Sequence, residues 1–160
     1  EVPIGFKHIS AKIDEVDAIL GGESSGGLTV RGHIHGKDSV YAAALFVEML
    51  SVIGMSPSAY YETLEQKYGV HCMVESNLSF EPAMKPAIVN QIMVEKQLPT
   101  FAETVSRVNY EDGCKVYFEN GDFVICRFSG TEPLLRIFAE SSTAEKAETY
   151  IQAFRDLVAL

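Results

Sequence analysis

Two dipeptides in the second half of the chain, Asp112-Gly113 and Asn120-Gly121, lie between runs that alternate apolar and polar residues. Each is a strong hairpin signal, because both central positions of a tight turn can then take positive φ. Together they tie residues 104–110, 114–119 and 122–128 into an antiparallel meander. A polar break at 129–133 leads into another strand at 134–140. Upstream, 71–80 has strand character, and 82–97 has helical spacing, with Met84, Ile88, Ile92 and Met93 on one side and Pro86 in the first turn. Ser142-Thr143-Ala144-Glu145 reads as a capping box that opens an amphipathic helix reaching the C-terminus. This half therefore predicts a largely antiparallel sheet with helices on one face.

The first half follows other rules. Residues 2–13 suggest a short strand and turn, punctuated by Gly5. Gly21-Gly22-Glu23-Ser24-Ser25-Gly26-Gly27 has four glycines in seven residues. Ordering so much glycine is entropically costly, which predicts a loop whose backbone bends sharply or approaches something closely. A short extended piece is expected at 28–34. Asp38 is placed to cap a helix at 39–53 that is apolar almost all round and therefore wants burial on more than one side. Gly54 suits its end, and Ser56-Pro57 supplies a cap and a first helical proline for a second helix running to about Tyr68 and stopping at Gly69. That helix is a candidate linker between two units.

The chain's 160 residues allow one ordinary domain or two small pieces, and 47% apolar content suffices for a core. A net charge of −9, spread over both halves, argues against a nucleic-acid partner, whose footprint is a basic face. The longest apolar run, 40–47, is too short to span a bilayer, so no membrane partner is expected. Cys72, Cys114 and Cys126 form no CxxC pair, which fits a reducing, cytoplasmic compartment and gives no zinc signature. His33 and His35 alone make no metal site, and no D-x-D cluster exists to hold Mg²⁺. The chain opens at Glu1 without Met, and a piece of something longer is expected.

The residues most able to carry chemistry surround the polar break. Arg127 precedes Ser129-Gly130-Thr131, and Arg136 follows it. If the flanking strands are adjacent, both guanidinium forks converge on a loop of hydroxyls and bare amides, a set that matches the oxygens of a phosphate. A plain hairpin loop with two surface arginines is the alternative. In the glycine-rich loop, Glu23 and Ser25 suit sugar hydroxyls, although a mobile surface loop fits as well. Lys7, His33 and Lys37 add cations and a neutral donor nearby, each a weak signal. Ser24 and Ser25 lack the G-x-S-x-G elbow of a nucleophile. Tyr110, Tyr117, Phe118, Phe123 and Phe128 alternate as sheet residues do.

In their order, Gly5-Phe6-Lys7-His8-Ile9, the 21–27 loop, Arg31-Gly32-His33-Ile34 with Gly36-Lys37-Asp38, and Arg127 to Arg136 resemble the C-terminal part of the α-D-phosphohexomutases, the family of phosphoglucomutases and phosphomannomutases. The resemblance covers essentially the whole chain. It implies an α+β fold in which residues 1–69 are the later part of an α/β third domain and 70–160 a complete fourth domain. That fourth domain is implied to be an antiparallel four-stranded sheet with helices on one face, TATA-box-binding-protein-like.

The resemblance further implies that Glu23 and Ser25 bind sugar hydroxyls. Arg127, Ser129, Gly130, Thr131 and, less directly, Arg136 would hold the phosphate that is not being transferred. Lys7, His33 and Lys37 would line the same cleft. Ser24 departs from the second Glu of many members. Gly27 replaces a His found in several glucosamine-type and some mannose-type relatives, which mildly favours a glucose or mannose phosphate over glucosamine phosphate. The phosphoserine and Mg²⁺ that carry the family's chemistry belong to earlier domains, and a hexose 1,6-bisphosphate is its intermediate. The chain is thus expected to recognise a phosphosugar, without turnover alone, and to self-associate through the apolar 39–53 helix. A free-standing phosphosugar-binding module and a ligand-free structural domain are the other readings.

Overall fold

The computed structural model describes residues 1–130 and 132–159. It divides into two compact units, Glu1–Thr63 and Leu64–Leu160.

The first unit contains α1 (Phe6–Val16), the ribbon of β1 (Leu20–Gly22) and β2 (Leu28–Val30), and α2 (Ser39–Ile53); α3 (Pro57–Tyr68) leaves it and enters the second unit. The strand expected at 2–13 is instead mostly helix. Phe6, Ile9, Ile13 and Val16 recur at helical spacing, and Ile9 and Ile13 are buried together with Ser10. Ser10 Oγ donates back to Phe6 O at 3.0 Å and also approaches His35 O at 3.2 Å.

Part of the glycine-rich loop is a strand as well. Gly21 and Gly22 pair with Thr29 and Leu28. A Cβ at Gly21 would stand 2.5 Å from Ile9 Cγ2, so the missing side chain lets β1 lie directly on α1. The irregular loop shrinks to the turn after Gly22.

α2 begins as its sequence predicts: Asp38 accepts the Tyr41 N–H at 3.0 Å, and Gly54 closes the helix at φ 70°. None of its residues is buried, and Val40, Val47 and Val52 are more than half exposed. α3 is capped by Ser56, whose Oγ accepts from Ala59 N at 3.3 Å. Among the described residues no single helix is long and apolar enough to cross a membrane; α2 and α3 reach that content only as a pair bent by 78°.

The second unit is an antiparallel sheet of five strands in the order β3-β7-β6-β5-β4: β3 (Cys72–Ser79), β4 (Val105–Asn109), β5 (Cys114–Phe118), β6 (Phe123–Phe128) and β7 (Leu134–Ser141). Five strands replace the expected four because every alternating run finds a partner. β7 enters between β6 and β3, and β4 pairs along the far side of β5 with a register shift between Val105 and Arg107. α5 (Ala144–Val158) packs on β3, β6 and β7. The core beneath holds Val116, Val124, Leu135, Ile137, Ile151 and Phe154, all fully buried. Their alternation leaves the other face of the sheet to the intervening residues.

Three local expectations shift. The helix at 82–97 is broken into a 3₁₀ turn (Pro82–Met84), α4 (Lys85–Val89) and a π turn (Asn90–Val94), while Ile88 and Ile92 still reach the core. Of each hairpin dipeptide only the glycine takes positive φ, 89° at Gly113 and 92° at Gly121. The second turn closes with Phe118 N to Asp122 O at 3.0 Å and Gly121 N to Phe118 O at 3.1 Å, a loop longer than the two-residue form. The cap of α5 is Thr143 rather than Ser142, since Thr143 has extended backbone and accepts from Lys146 N at 3.2 Å.

Asp122 then fastens that turn to α5. It accepts from Tyr150 Oη at 2.7 Å, Ser141 Oγ at 2.8 Å and Lys146 Nζ at 3.1 Å. Burial alone raises its pKa, but these three donors outweigh that and hold the carboxyl below the usual range. The opposite end of β6 is thereby left to the loop at 129–133.

Candidate functional site

The register of β6 and β7 sets Arg127 directly opposite Arg136, and β3 places Asn77 beside Arg136. Their strand neighbours Cys126 and Ile137 are fully buried, so alternation puts both arginines on the face away from the core. Like charges directly opposed on one face repel. Each is partly countered: Arg127 Nε donates to Asp112 Oδ1 at 3.4 Å, and Arg136 Nη2 lies 3.8 Å from Glu132 Oε2. Arg136 Nε is nonetheless buried without a hydrogen-bond partner among the described residues. An orphaned guanidinium donor beside a second guanidinium is a combination that an anion resolves.

Asp112 reaches Arg127 because Gly113 follows it. A Cβ at Gly113 would stand 2.5 Å from Cys126 O, so only glycine lets this turn lie against the end of β6. The loop itself is pinned at its base, with Ser129 N donating to Leu134 O at 2.9 Å and Phe80 N to Pro133 O at 3.2 Å. Ser129 is buried, and its Oγ accepts from Glu132 N at 3.3 Å. Around Gly130 there is open space among the described residues, none of which lies within 4 Å of an added Cβ. Thr131 lies outside the described residues.

In the first unit the glycine loop closes as a tight turn, with Glu23 N donating to Gly27 O at 2.8 Å and Gly26 N to Glu23 O at 2.9 Å. Glu23, mostly buried, pairs with Lys37 at 2.5 Å. A Cβ at Gly27 would lie 2.9 Å from Lys37 Cε and 3.0 Å from Glu23 Oε2, so the bare residue is what admits this pair. Lys37 Nζ also lies 5.6 Å from the centroid of Phe6, and Lys7, next along α1, is exposed. Ser25, Gly26, Gly27, Lys37 and Asp38 line a cavity of about 220 Å³. Asp38 in turn contacts His33, with Nε2 to Oδ2 at 3.0 Å.

The structure thus gathers Glu23, Ser25 and Lys37 in one place and Arg127, Gly130 and Arg136 in another. Sequence reasoning missed Asp112 as a partner of Arg127 and read Asp38 only as a helix cap. The Asp112-Gly113 turn was legible in the sequence, but the register that brings its Asp112 to Arg127 was not. Among the described residues no three His, Cys, Asp or Glu side chains converge as a metal site.

Two family models match the chain: phosphoglucomutase/phosphomannomutase, alpha/beta/alpha domain III, over residues 1–68, and phosphoglucomutase/phosphomannomutase, C-terminal domain, over residues 75–157. A phosphoglucomutase/phosphomannomutase of Thermococcus kodakarensis is 26% identical, with 93% of this chain and 30% of that protein covered. A phosphoglucosamine/phosphogalactosamine mutase of Sulfurisphaera tokodaii is 25% identical, over 97% and 32% respectively. A solved phosphoglucomutase/phosphomannomutase family protein from Burkholderia thailandensis shares the fold with a TM-score of 0.70 at 22% identity, covering 97% of this chain and 31% of that one. The chain spans about a third of the length of these curated relatives.

Proposed function

The chain belongs to the phosphoglucomutase/phosphomannomutase family, and on that footing we propose that it is the substrate-recognition part of an enzyme that interconverts hexose 1-phosphate and hexose 6-phosphate. Glu23 and Ser25 grip sugar hydroxyls, with Lys37, Lys7 and His33 around them. Arg127, Arg136, Ser129, Gly130 and Thr131 hold the phosphate that stays on the sugar. The observation that carries this reading is the opposed pair of Arg127 and Arg136, with Arg136 Nε buried and unmatched among the described residues.

A grip on hydroxyls and on the distal phosphate leaves the reacting oxygen free. The same contacts then serve a hexose bisphosphate intermediate in either orientation, which is how remote binding energy is turned into positioning. Transfer through a phosphoserine and Mg²⁺ is assigned to parts of the enzyme outside these 160 residues. A preference for glucose or mannose phosphate over an amino sugar belongs to the same proposal and rests on the family resemblance at Gly27. A cytoplasmic location belongs to the same proposal and rests on Cys72, Cys114 and Cys126, all free thiols.

Two measurements test it. Titration with glucose 1-phosphate moves the amide resonances of Gly130 and of Ser25; a titration that leaves both in place overturns the proposal. A coupled assay for glucose 6-phosphate shows no turnover by the chain alone, and sustained turnover overturns the division of labour.

A further inference from the structure

The carboxylate of Asp38 makes two different bonds. Its Oδ1 accepts the Tyr41 N–H at 3.0 Å, capping α2, and its Oδ2 lies 3.0 Å from His33 Nε2. The His33 ring is stacked on Tyr41, with centroids 4.0 Å apart and planes inclined by 21°. The turn that carries His33 is fixed on both sides. His33 N donates to Val30 O at 3.1 Å, and the buried Thr29 Oγ1 donates to Ile34 O at 2.7 Å. Capping alone asks only for an oxygen near Tyr41 N; it does not ask for a stacked imidazole on the second oxygen.

We propose that Asp38 is a positioning residue that holds His33 as the Nε2–H tautomer and so makes Nδ1 an acceptor for a sugar hydroxyl. An ionised carboxylate only accepts, so the proton between the two groups belongs to Nε2. The Tyr41 N–H, followed by His33 itself, holds the Asp38 carboxyl below its ordinary range and keeps it ionised at neutral pH. A neutral imidazole with Nε2 engaged has one lone pair left, on Nδ1. That lone pair repels phosphate oxygens and takes a hydroxyl proton. By that chemistry His33 belongs with the hydroxyl-binding groups Glu23 and Ser25, and not with the phosphate donors. The hydroxyl role rests on the sugar-binding reading of this unit; the tautomer does not.

Asparagine at this position separates capping from positioning. Asn caps a helix about as well as Asp, so Asp38→Asn keeps the acceptor for Tyr41 N. Its amide nitrogen then faces His33 Nε2 as a donor and drives the proton to Nδ1. Nitrogen-detected imidazole spectra of the 160-residue chain at about pH 8, where an ordinary histidine is neutral, read this directly. The parent shows a protonated Nε2 and a bare Nδ1, and Asp38→Asn reverses the pattern while the thermal midpoint stays close to the parent's.

A proton on Nδ1 in the parent, both nitrogens protonated, or an unchanged pattern in Asp38→Asn overturns the assignment. With glucose 1-phosphate, the Nδ1 resonance of the parent moves, and Asp38→Asn binds about tenfold more weakly, the cost of leaving one polar partner unmatched. A parent that gives no response anywhere overturns the hydroxyl role together with the sugar-binding reading. A parent that binds no better than Asp38→Asn overturns the role of Asp38 alone.

Discussion

Arg127 and Arg136 stand directly opposite one another on adjacent antiparallel strands, on the sheet face away from the core. Such a pair is a local cost in the isolated fold, about 0.2–1 kcal/mol for like charges across a sheet. Replacing one charge with a neutral polar side chain removes it. Arg136→Gln in phosphate-free buffer is therefore expected to hold or raise stability by up to about 1 kcal/mol. Urea unfolding checks this; a loss above about 1 kcal/mol would show the arginine serving the fold instead.

Gly113 and Gly121 occupy corresponding turns with nearly equal φ, 89° and 92°, but different surroundings. At Gly121 an added Cβ meets nothing within 4 Å, whereas at Gly113 it meets Cys126 O at 2.5 Å. Gly121→Ala is expected to cost about 1 kcal/mol from left-handed strain. Gly113→Ala adds a backbone clash and is expected to cost about 2–4 kcal/mol, and to weaken phosphate binding by displacing Asp112 from Arg127. Equal losses in the two variants would refute the close approach of this turn to β6.

His71 lies between two acceptors, the Tyr68 carbonyl at 3.2 Å from Nε2 and the Glu140 carboxylate at 3.0 Å from Nδ1. The Tyr68 carbonyl first, and then Glu140, raise its pKa above 6.5, because both contacts reward the doubly protonated ring. A raised folded pKa means that the stabilisation is fully present below the unfolded value and disappears as pH rises through the folded one. The midpoint of thermal unfolding should therefore fall as pH rises above about 6.5, and His71→Gln should lose that slope. An identical slope in the variant would place the titration elsewhere.

α2 leaves Val40, Val47 and Val52 exposed at 80, 62 and 82%. Apolar exposure of this extent drives association. The apparent mass from light scattering is expected to rise with concentration, and Val47→Glu should suppress the rise. A monodisperse monomer over a wide concentration range would contradict this.

Strand pairing was legible where alternation and glycine turns agreed, as in β5 and β6, because both depend on residues adjacent in sequence. The helix at Phe6–Val16 was obscured because its polar first half reads equally well as a turn, and only burial of Ile9 and Ile13 decides between them. Gly21 in a strand could not be foreseen, since its reason is the side chain of Ile9 on another element. The opposition of Arg127 and Arg136 followed from supposing their strands adjacent. Asp112 at Arg127 and His33 on Asp38 needed register and rotamer, which sequence spacing does not carry.

The most direct test is isothermal calorimetry of the chain with glucose 1-phosphate, in the parent and in Arg127→Ala. Removing one fork of a paired guanidinium site should cost about tenfold or more in affinity. Weak binding by the parent that Arg127→Ala loses is the predicted result. Binding by Arg127→Ala as tight as the parent's would contradict the assignment of this loop to phosphate.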